Sequence, residues 1–325
     1  MNRMNRLRIL GWVLILLTPA WGANAAEQYP TKPIRVILPF PPGSASDFLA
    51  RVVGARLAEI YGQQVVIDNR PGAGGMIGSQ IVARSAPDGY NLALIGQPHL
   101  TNALIRDPLP YEPIKDYASI TLVAVIPNVV VLGTGVPANN LKELVALAKA
   151  KPGQLNFGSA GMGSSSHLAG EMFVAVAGIK AVHVPFKTLG DVFSEMLLGR
   201  VHFYVFPLPA AMPMLRDGKL RPVATATPKR AMALPNVPTT AEAGLPEYQS
   251  ESWFGYIAPA GLPKQLIAKL NADIIKILQQ PDIRERFQLQ GAEASYGSPE
   301  AFHKLQSDEY ARLGKLIKEL GIKVQ

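Results

Sequence analysis

The 325-residue chain contains no cysteine, which excludes disulfide bonds, thiolate metal centres and a lipid attached to a cysteine after a leader. Charged residues make up only 17% of the chain, and its lysines and arginines are dispersed rather than gathered in runs with interleaved aromatics, so the sequence does not indicate nucleic-acid binding. After the first residues, no apolar run is long enough to cross a membrane. There is no internal repeat. These absences favour a globular, unanchored protein of two ordinary domains that binds small ligands.

The first 25 residues have the pattern of a signal peptide. Arg3, Arg6 and Arg8 precede the apolar run from Ile9 to Leu17, and Ala23-Asn24-Ala25 is a small-x-small cleavage signal. The apolar run is too short for the roughly 20 residues of a membrane span. We therefore predict cleavage after Ala25 and export to the periplasm. Without the three leader arginines the formal charge of +8 becomes +5, a mild excess that suits anionic small ligands.

A loop of small residues joins the first predicted strand to the first predicted helix. Ile34 to Leu38 is an apolar run, and apolar residues recur at helical spacing from Phe48 to Ile60. Ser44 and Asp47 have the spacing of a capping box. Such a loop presents backbone amides and the positive end of a helix dipole to an anion, although it is also what an ordinary strand-to-helix turn requires. The candidate ligand-binding residues here are Pro42, Gly43, Ser44, Ala45, Ser46 and Asp47.

A second loop of the same kind follows a strand predicted at Leu155 to Phe157. It runs from Gly158 to His167, is rich in glycine and serine, and leads into another helix. Two such loops could face each other across a cleft and hold one ligand from both sides. The candidate ligand-binding residues of this loop are Ser159, Ala160, Gly161, Ser164, Ser165 and Ser166.

Strand and helix signals alternate along the whole chain, which predicts an α/β fold with largely parallel strands. Further strands are predicted at Val65–Ile67, Leu92–Ile95, Val123–Leu132, Ala181–Val184, Val201–Phe206, Leu220–Ala226 and Ser252–Ala258, with helices between the later ones. Further helices are predicted at Met76–Ser85, Asn140–Lys149, Pro263–Gln279, Asp282–Gln290 and Pro299–Leu320. Gln97-Pro98-His99 is interpreted as the end of a strand.

Three motifs suggest other chemistry but are incomplete. The glycines at 72, 74 and 78 approximate a dinucleotide fingerprint, but the third is one residue late. His167 and Glu171 share a predicted helix face, yet no second histidine or carboxylate joins them at ligand spacing, so we expect capping or packing rather than a metal site. The serines at 164 to 166 lack the elbow motif of a hydrolase nucleophile. We therefore predict no cofactor, no metal and no catalytic residue.

Short motifs in a specific order resemble the Bug family of periplasmic solute-binding proteins, the receptors of tripartite tricarboxylate transporters. The resemblance covers nearly all of the predicted mature chain. The motifs are Tyr29-Pro30, Lys32-Pro33-Ile34-Arg35, Pro39-Phe40-Pro41-Pro42-Gly43 with Asp47, Asn69-Arg70-Pro71-Gly72-Ala73-Gly74-Gly75, Ala86-Pro87-Asp88-Gly89-Tyr90, Lys151-Pro152-Gly153, Ser164-Ser165-Ser166-His167-Leu168-Ala169-Gly170-Glu171, His183-Val184-Pro185-Phe186-Lys187 and Ser252-Trp253-Phe254-Gly255.

The resemblance implies a two-domain periplasmic-binding-protein fold, type II-like, hinged by two crossing strands. We place the crossings near Ala124 and Trp253, which gives a signal peptide at 1–25, a first domain at 26–123 and 253–325, and a second domain at 124–252. It also implies that both loops grip a small carboxylate ligand, and that a monomeric receptor delivers this ligand to the membrane subunits of a tripartite tricarboxylate transporter. A sensor for a signalling partner and a periplasmic hydrolase are the alternatives.

Several positions depart from the family pattern and bear on ligand choice. Thr188 follows Lys187 where many members have a small pair, Phe206-Pro207 replaces an Asp-Asn pair, and Gln97-Pro98-His99 replaces small residues. A buried ammonium group needs an acceptor, usually a carboxylate, and the usual one is missing. Phe206 would instead offer apolar surface, so we expect an acid with an aromatic or aliphatic middle, a dicarboxylate, rather than an amino acid. The alternative is that Asp47 or Asp191 reaches the cleft and supplies the charge. This adds Gln97, His99, Lys187, Thr188 and Phe206 to the candidate ligand-binding residues.

Overall fold

The computed structural model describes residues 29–72, 75–105, 108–162 and 164–320; the predicted signal peptide lies outside them. Its strands are β1 (Ile34–Leu38), β2 (Val65–Asn69), β3 (Asn91–Gly96), β4 (Tyr117–Gly133), β5 (Leu155–Ser159), β6 (Ala181–Pro185), β7 (Phe203–Pro207), β8 (Leu220–Thr225), β9 (Glu251–Pro259) and β10 (Glu293–Ala294). Its helices are α1 (Ala45–Tyr61), α2 (Met76–Ala83), α3 (Pro98–Ile105), α4 (Leu141–Ala150), α5 (Ser165–Val176), α6 (Leu189–Leu197), α7 (Leu208–Arg216), α8 (Lys264–Leu278), α9 (Pro281–Leu289) and α10 (Pro299–Leu320).

One helix was not predicted. Gln97-Pro98-His99 was interpreted as the end of a strand, but Pro98 is the first residue of α3. The carbonyl of Gln97 accepts hydrogen bonds from the amides of Leu100 and Thr101, at 3.0 and 3.1 Å. Proline suits the first helical position because its fixed φ is already helical and its missing amide has no partner there anyway. The proline therefore marks a helix start.

The sheet is mixed, so the prediction of largely parallel strands holds only at its two ends. β1 pairs in parallel with β2 and β3, and β5 pairs in parallel with β6 and β7. The pairs that β4 and β9 make are all antiparallel among the described residues. The strand order is β2-β1-β3-β9-β4-β7-β5-β6, with β8 and β10 also pairing with β4. β4 leads from one half of the sheet to the other and β9 leads back, so these two strands run in opposite directions. The alternation of strand and helix signals in the sequence does not indicate this.

β4 and β9 connect the two ends of this sheet, which we call the first lobe (around β1, β2 and β3) and the second lobe (around β5, β6 and β7). β4 pairs with β9 as far as Pro127, and from Asn128 onward it pairs with β7 and β8. The amide of Ser250, just before β9, bonds to the carbonyl of Ala226 in the second lobe. The domain boundaries drawn above at 123/124 and 252/253 stay a prediction.

Each lobe has its own apolar core. In the first lobe, Ile34, Leu49, Leu94 and Ile274 belong to one fully buried cluster that joins β1, α1, β3 and α8. In the second, the core is aromatic: Phe157, Phe173 and Phe203 are buried together between the sheet and α5. Truncating such a buried ring to alanine costs about 3 to 5 kcal/mol. Among the described residues, no helix combines the length and the apolarity needed to cross a membrane.

The last helix, α10, contacts both lobes. Its residues Leu313 and Ile317 pack against Leu168 of α5 and against Leu104 of α3. The Glu309 carboxylate of α10 accepts hydrogen bonds from Gln97 in the first lobe and from the indole of Trp253 in β9. The lobes are thus connected by packing as well as by the two strands.

Candidate functional site

The first loop ends in the capping box that the sequence predicts. Ser44 Oγ accepts a hydrogen bond from the amide of Asp47 at 3.3 Å. In return Asp47 Oδ2 accepts from the amide of Gly43 at 3.0 Å, one residue earlier than in the usual box. This shift is possible because Gly43 has a φ of +77°, a conformation that favours glycine. The box fixes the direction in which α1 starts.

Asp47 holds the first loop in place rather than facing the cleft. It is only 5% exposed, and its other contacts are Arg51 Nε and Asn69 Nδ2, each at 3.0 Å. Burial by itself would raise the pKa of Asp47, but the hydrogen bonds from Arg51, Gly43 and Asn69 outweigh it and lower the pKa below its ordinary value. The carboxylate is therefore charged and is held by three hydrogen bonds from its own loop, α1 and β2.

The second loop repeats this geometry with hydroxyl groups. Ser164 Oγ caps α5 by accepting from the amide of His167 at 3.2 Å, and it donates to the carbonyl of Gly161 at 2.7 Å. Gly161 has a φ of +105°, which turns the chain back toward the helix. Ser166 Oγ accepts from the amide of Ala160 and from the hydroxyl of Tyr204, at 3.0 and 3.1 Å. Short side chains therefore tie the whole turn to the core.

The two helix starts meet at one cavity. Ala45 and Ser165, the first residues of α1 and α5, both line a cavity of about 140 Å³ between the lobes. The amides of Ala45, Ser46, Ser165 and Ser166 have no hydrogen-bond partner among the described residues. Unpaired amides and helix dipoles at such a start attract anions, and amide bonds to a carboxylate are charge-assisted. The arrangement suits an acidic group held from both sides.

A larger cavity adjoins the first and is mostly apolar. It has a volume of about 590 Å³ and shares Phe40, Pro98 and Ser165 with the smaller one. None of the described residues lining either cavity carries a charge. The remaining residues of the larger wall are Pro39, Pro41, Pro71, Gly72, Gly75, Thr101, Asn102, Ile105, Ala160, Met162 and Ser164.

Most of the candidate residues lie in or next to these cavities. Ala45, Gln97, Ala160, Ser164 and Ser165 line the walls. The other candidates of both loops do not line either cavity but are within two residues of a wall residue in the sequence: Pro42, Gly43, Ser44, Ser46, Asp47, Ser159, Gly161 and Ser166. Lys187 and Thr188 are exposed, and Thr188 caps α6 by accepting from the amide of Asp191. Their role as ligand contacts stays a prediction.

Two candidates lie elsewhere, which corrects their expected contact with a ligand. Phe206 is 1% exposed and stacks on Tyr204 in the core of the second lobe, with ring centroids 4.3 Å apart. His99 is 3% exposed, and its ring nitrogens contact Ser79 Oγ and the carbonyl of Pro113, both at 3.0 Å. Burial lowers the pKa of His99 to about 4, so this ring is a neutral core residue.

The apolar wall expected from Phe206 is supplied by other residues, which the sequence does not predict. Pro207, Ser252 and Phe254 line the smaller cavity, together with Phe40 and Ile126. Trp253, which lies between Ser252 and Phe254, lines the same cavity, and β9 is buried along most of its length, so no alternation in its sequence indicates this wall. Thr101 and Asn102 were missed because α3 was not predicted.

His183 joins the pair of His167 and Glu171, which was not expected. The donor atoms of the three side chains lie within 4.8 Å of one another. His183 comes from β6, whose pairing with β5 places it next to Phe157. The same histidine contacts Ser159 Oγ, but Ser159 is fully buried and so is not an accessible nucleophile.

A family model described as the tripartite tricarboxylate transporter family receptor matches residues 49–322. The chain belongs to this family. Protein BugT of Bordetella pertussis is 34% identical to the receptor over 326 residues, covering 99% of this chain and 100% of BugT. The resemblance to the Bug family predicted from short motifs is confirmed.

Solved structures of related receptors share the fold. One is Rpa4515 of R. palustris with adipate, with a TM-score of 0.78 and 34% identity over 91% of this chain and 99% of that one. Another is MatC of Rhodopseudomonas palustris with bound malate, with a TM-score of 0.74 and 30% identity over 89% and 100%. The predicted fold class, a two-domain periplasmic solute-binding protein, is confirmed.

Proposed function

We propose that this receptor captures a small dicarboxylate in the cleft between its lobes and delivers it to the membrane subunits of a tripartite tricarboxylate transporter. The observation that carries the proposal is the meeting of two capped helix starts at one cavity, which the first residues of both helices, Ala45 and Ser165, line. We further propose that the chain is exported, loses residues 1–25 and acts in the periplasm as a monomer. The related receptors with adipate and malate support a carboxylate ligand.

We propose that the middle of the ligand is uncharged. The described walls of both cavities carry no carboxylate, and Asp47 is occupied by Gly43, Arg51 and Asn69. An ammonium group in the closed cleft would be left without a carboxylate from the described walls, and a buried charge without an opposite charge is costly. Phe40, Pro207 and Phe254 instead give the smaller cavity an apolar wall. Aliphatic or aromatic diacids should therefore bind more tightly than aspartate or glutamate.

Calorimetry with ligand-free protein tests this order. The panel contains adipate-like and terephthalate-like diacids, malate, aspartate and glutamate. We expect at least a tenfold preference, about 1.4 kcal/mol, for a diacid with an uncharged middle over either amino acid. Ser252→Asp places a carboxylate in the wall of the smaller cavity and should narrow that preference, whereas Ser252→Ala is the matched control and should leave it in place.

Two results would contradict the proposal. If no carboxylate in the panel binds, the receptor function is wrong. If glutamate binds more tightly than every diacid tested, the uncharged-middle argument is wrong while the receptor function stands. A thermal-shift screen gives an independent reading, because ligand at a hundredfold over its dissociation constant stabilises the fold by about 2.7 kcal/mol.

A further inference from the structure

Three side chains form a cluster directly behind the second loop. His167 lies in the first turn of α5, Glu171 one turn later, and His183 in β6. His167 Nε2 is 3.5 Å from Glu171 Oε1, and the two imidazole rings stack with centroids 3.9 Å apart. His167 is 2% exposed, so the cluster is shielded from solvent on the side of α5.

Two histidines and one glutamate are a donor set that zinc takes, but the ring geometry does not suit a shared ion. The ring planes of His167 and His183 are only 22° apart, so their nitrogen lone pairs lie in nearly parallel planes and do not converge on one point. His183 Nε2 also has a partner already, Ser159 Oγ at 2.6 Å. We therefore infer the role of the cluster from the contact between His183 and Ser159.

We assign the Ser159 hydroxyl as the donor of the hydrogen bond to His183. Its two acceptors are His183 Nε2 at 2.6 Å and the carbonyl of Gly161 at 3.1 Å. That carbonyl already accepts from the hydroxyl and the amide of Ser164, at 2.7 and 3.2 Å. A hydroxyl has one proton and gives it to the nearer, less occupied acceptor. We therefore assign His183 as the acceptor at Nε2, with its own proton on Nδ1.

The protonation of His183 agrees with this assignment. Burial, and then the neighbouring His167, lower the pKa of His183 to about 4, so the ring is neutral at pH 7 and can accept a hydrogen bond. With its proton directed at His183, Ser159 Oγ is left to accept from the amide of Gly161 at 3.1 Å. The position of this one hydroxyl, which His183 holds, thus determines whether the turn at Gly161 is held.

A continuous chain of hydrogen bonds leads from this ring to the cleft. His183 holds Ser159, Ser159 holds the amide of Gly161, and the carbonyl of Gly161 holds Ser164, the residue that caps α5. On the side of α5, the ring of His167 stacks on the ring of His183. Because Ser164 directly precedes the unpaired amides of Ser165 and Ser166, the chain determines where those amides point.

We propose that His183 is a positioning residue for ligand binding: through Ser159 and Gly161 it fixes the turn that directs the first amides of α5 into the cleft. The inference rests on the proposed function for its effect on affinity. Its effect on the turn itself needs no ligand. His183 is 12 residues beyond Glu171 in sequence and lines neither cavity.

The test compares two substitutions at position 183. His183→Leu fills the space but cannot accept a hydrogen bond, whereas His183→Gln can place an amide oxygen near the position of Nε2. In ligand-free protein, His183→Leu should speed hydrogen exchange at the Gly161 amide about tenfold, and His183→Gln should stay within about threefold of wild type. Affinity for the best diacid of the panel should follow the same order.

Controls separate positioning from general destabilisation. Phe173→Leu weakens the same lobe core without touching the chain of hydrogen bonds, and should leave Gly161 exchange relative to its neighbours unchanged. If His183→Leu does not fold, Ser159→Ala removes the other partner of the same bond and should reproduce the fast exchange. In the folded case the double variant should be no worse than Ser159→Ala alone, because both changes break one interaction.

The proposal is overturned if His183→Leu leaves Gly161 exchange at the wild-type rate, or if His183→Gln exchanges as fast as His183→Leu. It is also overturned if the exchange rates change as expected while the affinity of His183→Leu for the best diacid stays at the wild-type value. Should the wild-type protein bind no carboxylate at all, the proposed function fails, and the exchange rates alone decide whether His183 holds the turn.

Discussion

The loops that start α1 and α5 present the same backbone shape to the cleft but are held by different chemistry. Ser44 and Ser164, the two capping residues, have nearly the same dihedral angles, φ/ψ of −72°/164° and −68°/159°. The first loop is fixed by a charged side chain, Asp47, with Arg51 beside it. The second is fixed by serine hydroxyls and a neutral histidine. The proposed ligand would contact two loops that are held by different sets of side chains, which we call the charged frame (Asp47 and Arg51) and the neutral frame (the serines and His183). The responses of the two frames to mutation and acid should differ.

The largest expected effect comes from removing the charged frame. Asp47→Ala leaves Arg51, Asn69 and the Gly43 amide without their common partner, and the loss of three hydrogen bonds to one charged group costs about 3 kcal/mol, since the half-exposed Arg51 regains water. The matched control is Asp191→Ala, since Asp191 holds the same position in α6 but is exposed, and should cost less than about 1 kcal/mol. Denaturant unfolding measures both; equal losses would show that burial at Asp47 contributes nothing.

A smaller effect, on ligand affinity and of similar size in the two loops, is expected from substitutions at the first residues of α1 and α5. Ala45→Pro and Ser165→Pro each delete one amide donor, while proline is well tolerated at that position and the residue before it is already extended in both loops. Stability should change little. Affinity for the best diacid should fall by about 1.5 to 3 kcal/mol in each variant, the value of a charge-assisted bond.

The controls for the prolines exchange the two side chains and keep the amides. Ala45→Ser and Ser165→Ala should bind the diacid within about threefold of wild type, because a backbone donor remains at each helix start. If only one of the two proline variants loses affinity, the ligand is held from one lobe, and the symmetry of the two loops has no functional meaning.

The smallest expected effect is a difference in acid response. The pKa of His183 is lowered from 6.5 to about 4, by burial and then by His167, partly offset by Glu171, so its contribution to stability is complete above pH 6.5 and is lost as the pH falls toward 4. The pKa of Asp47 is lowered from 3.8 despite its burial, so its contribution is lost only below pH 3.8. The second loop should therefore loosen first.

Hydrogen exchange at Gly161 and Gly43, each normalised to its intrinsic rate, measures this order. We expect protection at Gly161 to fall several-fold between pH 6.5 and 4 while protection at Gly43 persists. His183→Gln has no titrating ring and should remove the early change. Loss of protection at Gly43 before Gly161 would contradict the assignment of the two frames.

Local features of both loops could be predicted from the sequence, because a capping residue and the turn before it are set by neighbours a few positions apart. The contact between His167 and His183 could not, since it depends on the register in which β5 and β6 pair. Phe206 was placed on the wrong side because β7 is buried on both faces, and such a strand shows no alternation that identifies its cleft side. The same holds for Phe254, because β9 is also buried along most of its length and does not alternate.

The exchange of partners along β4 determines how the cleft can open. Pro127 pairs with Glu251 of β9 and Asn128 with Pro207 of β7, and the Asn128 side chain bonds to Ser250, which precedes β9. The two covalent connections between the lobes therefore cross side by side at one level. Two strands that cross side by side permit rotation of one lobe against the other about a line drawn through both crossings, and they resist sliding or twisting of the lobes. We therefore expect any opening to be a rotation about that line, which the distance between one pair of probes across the cleft would measure.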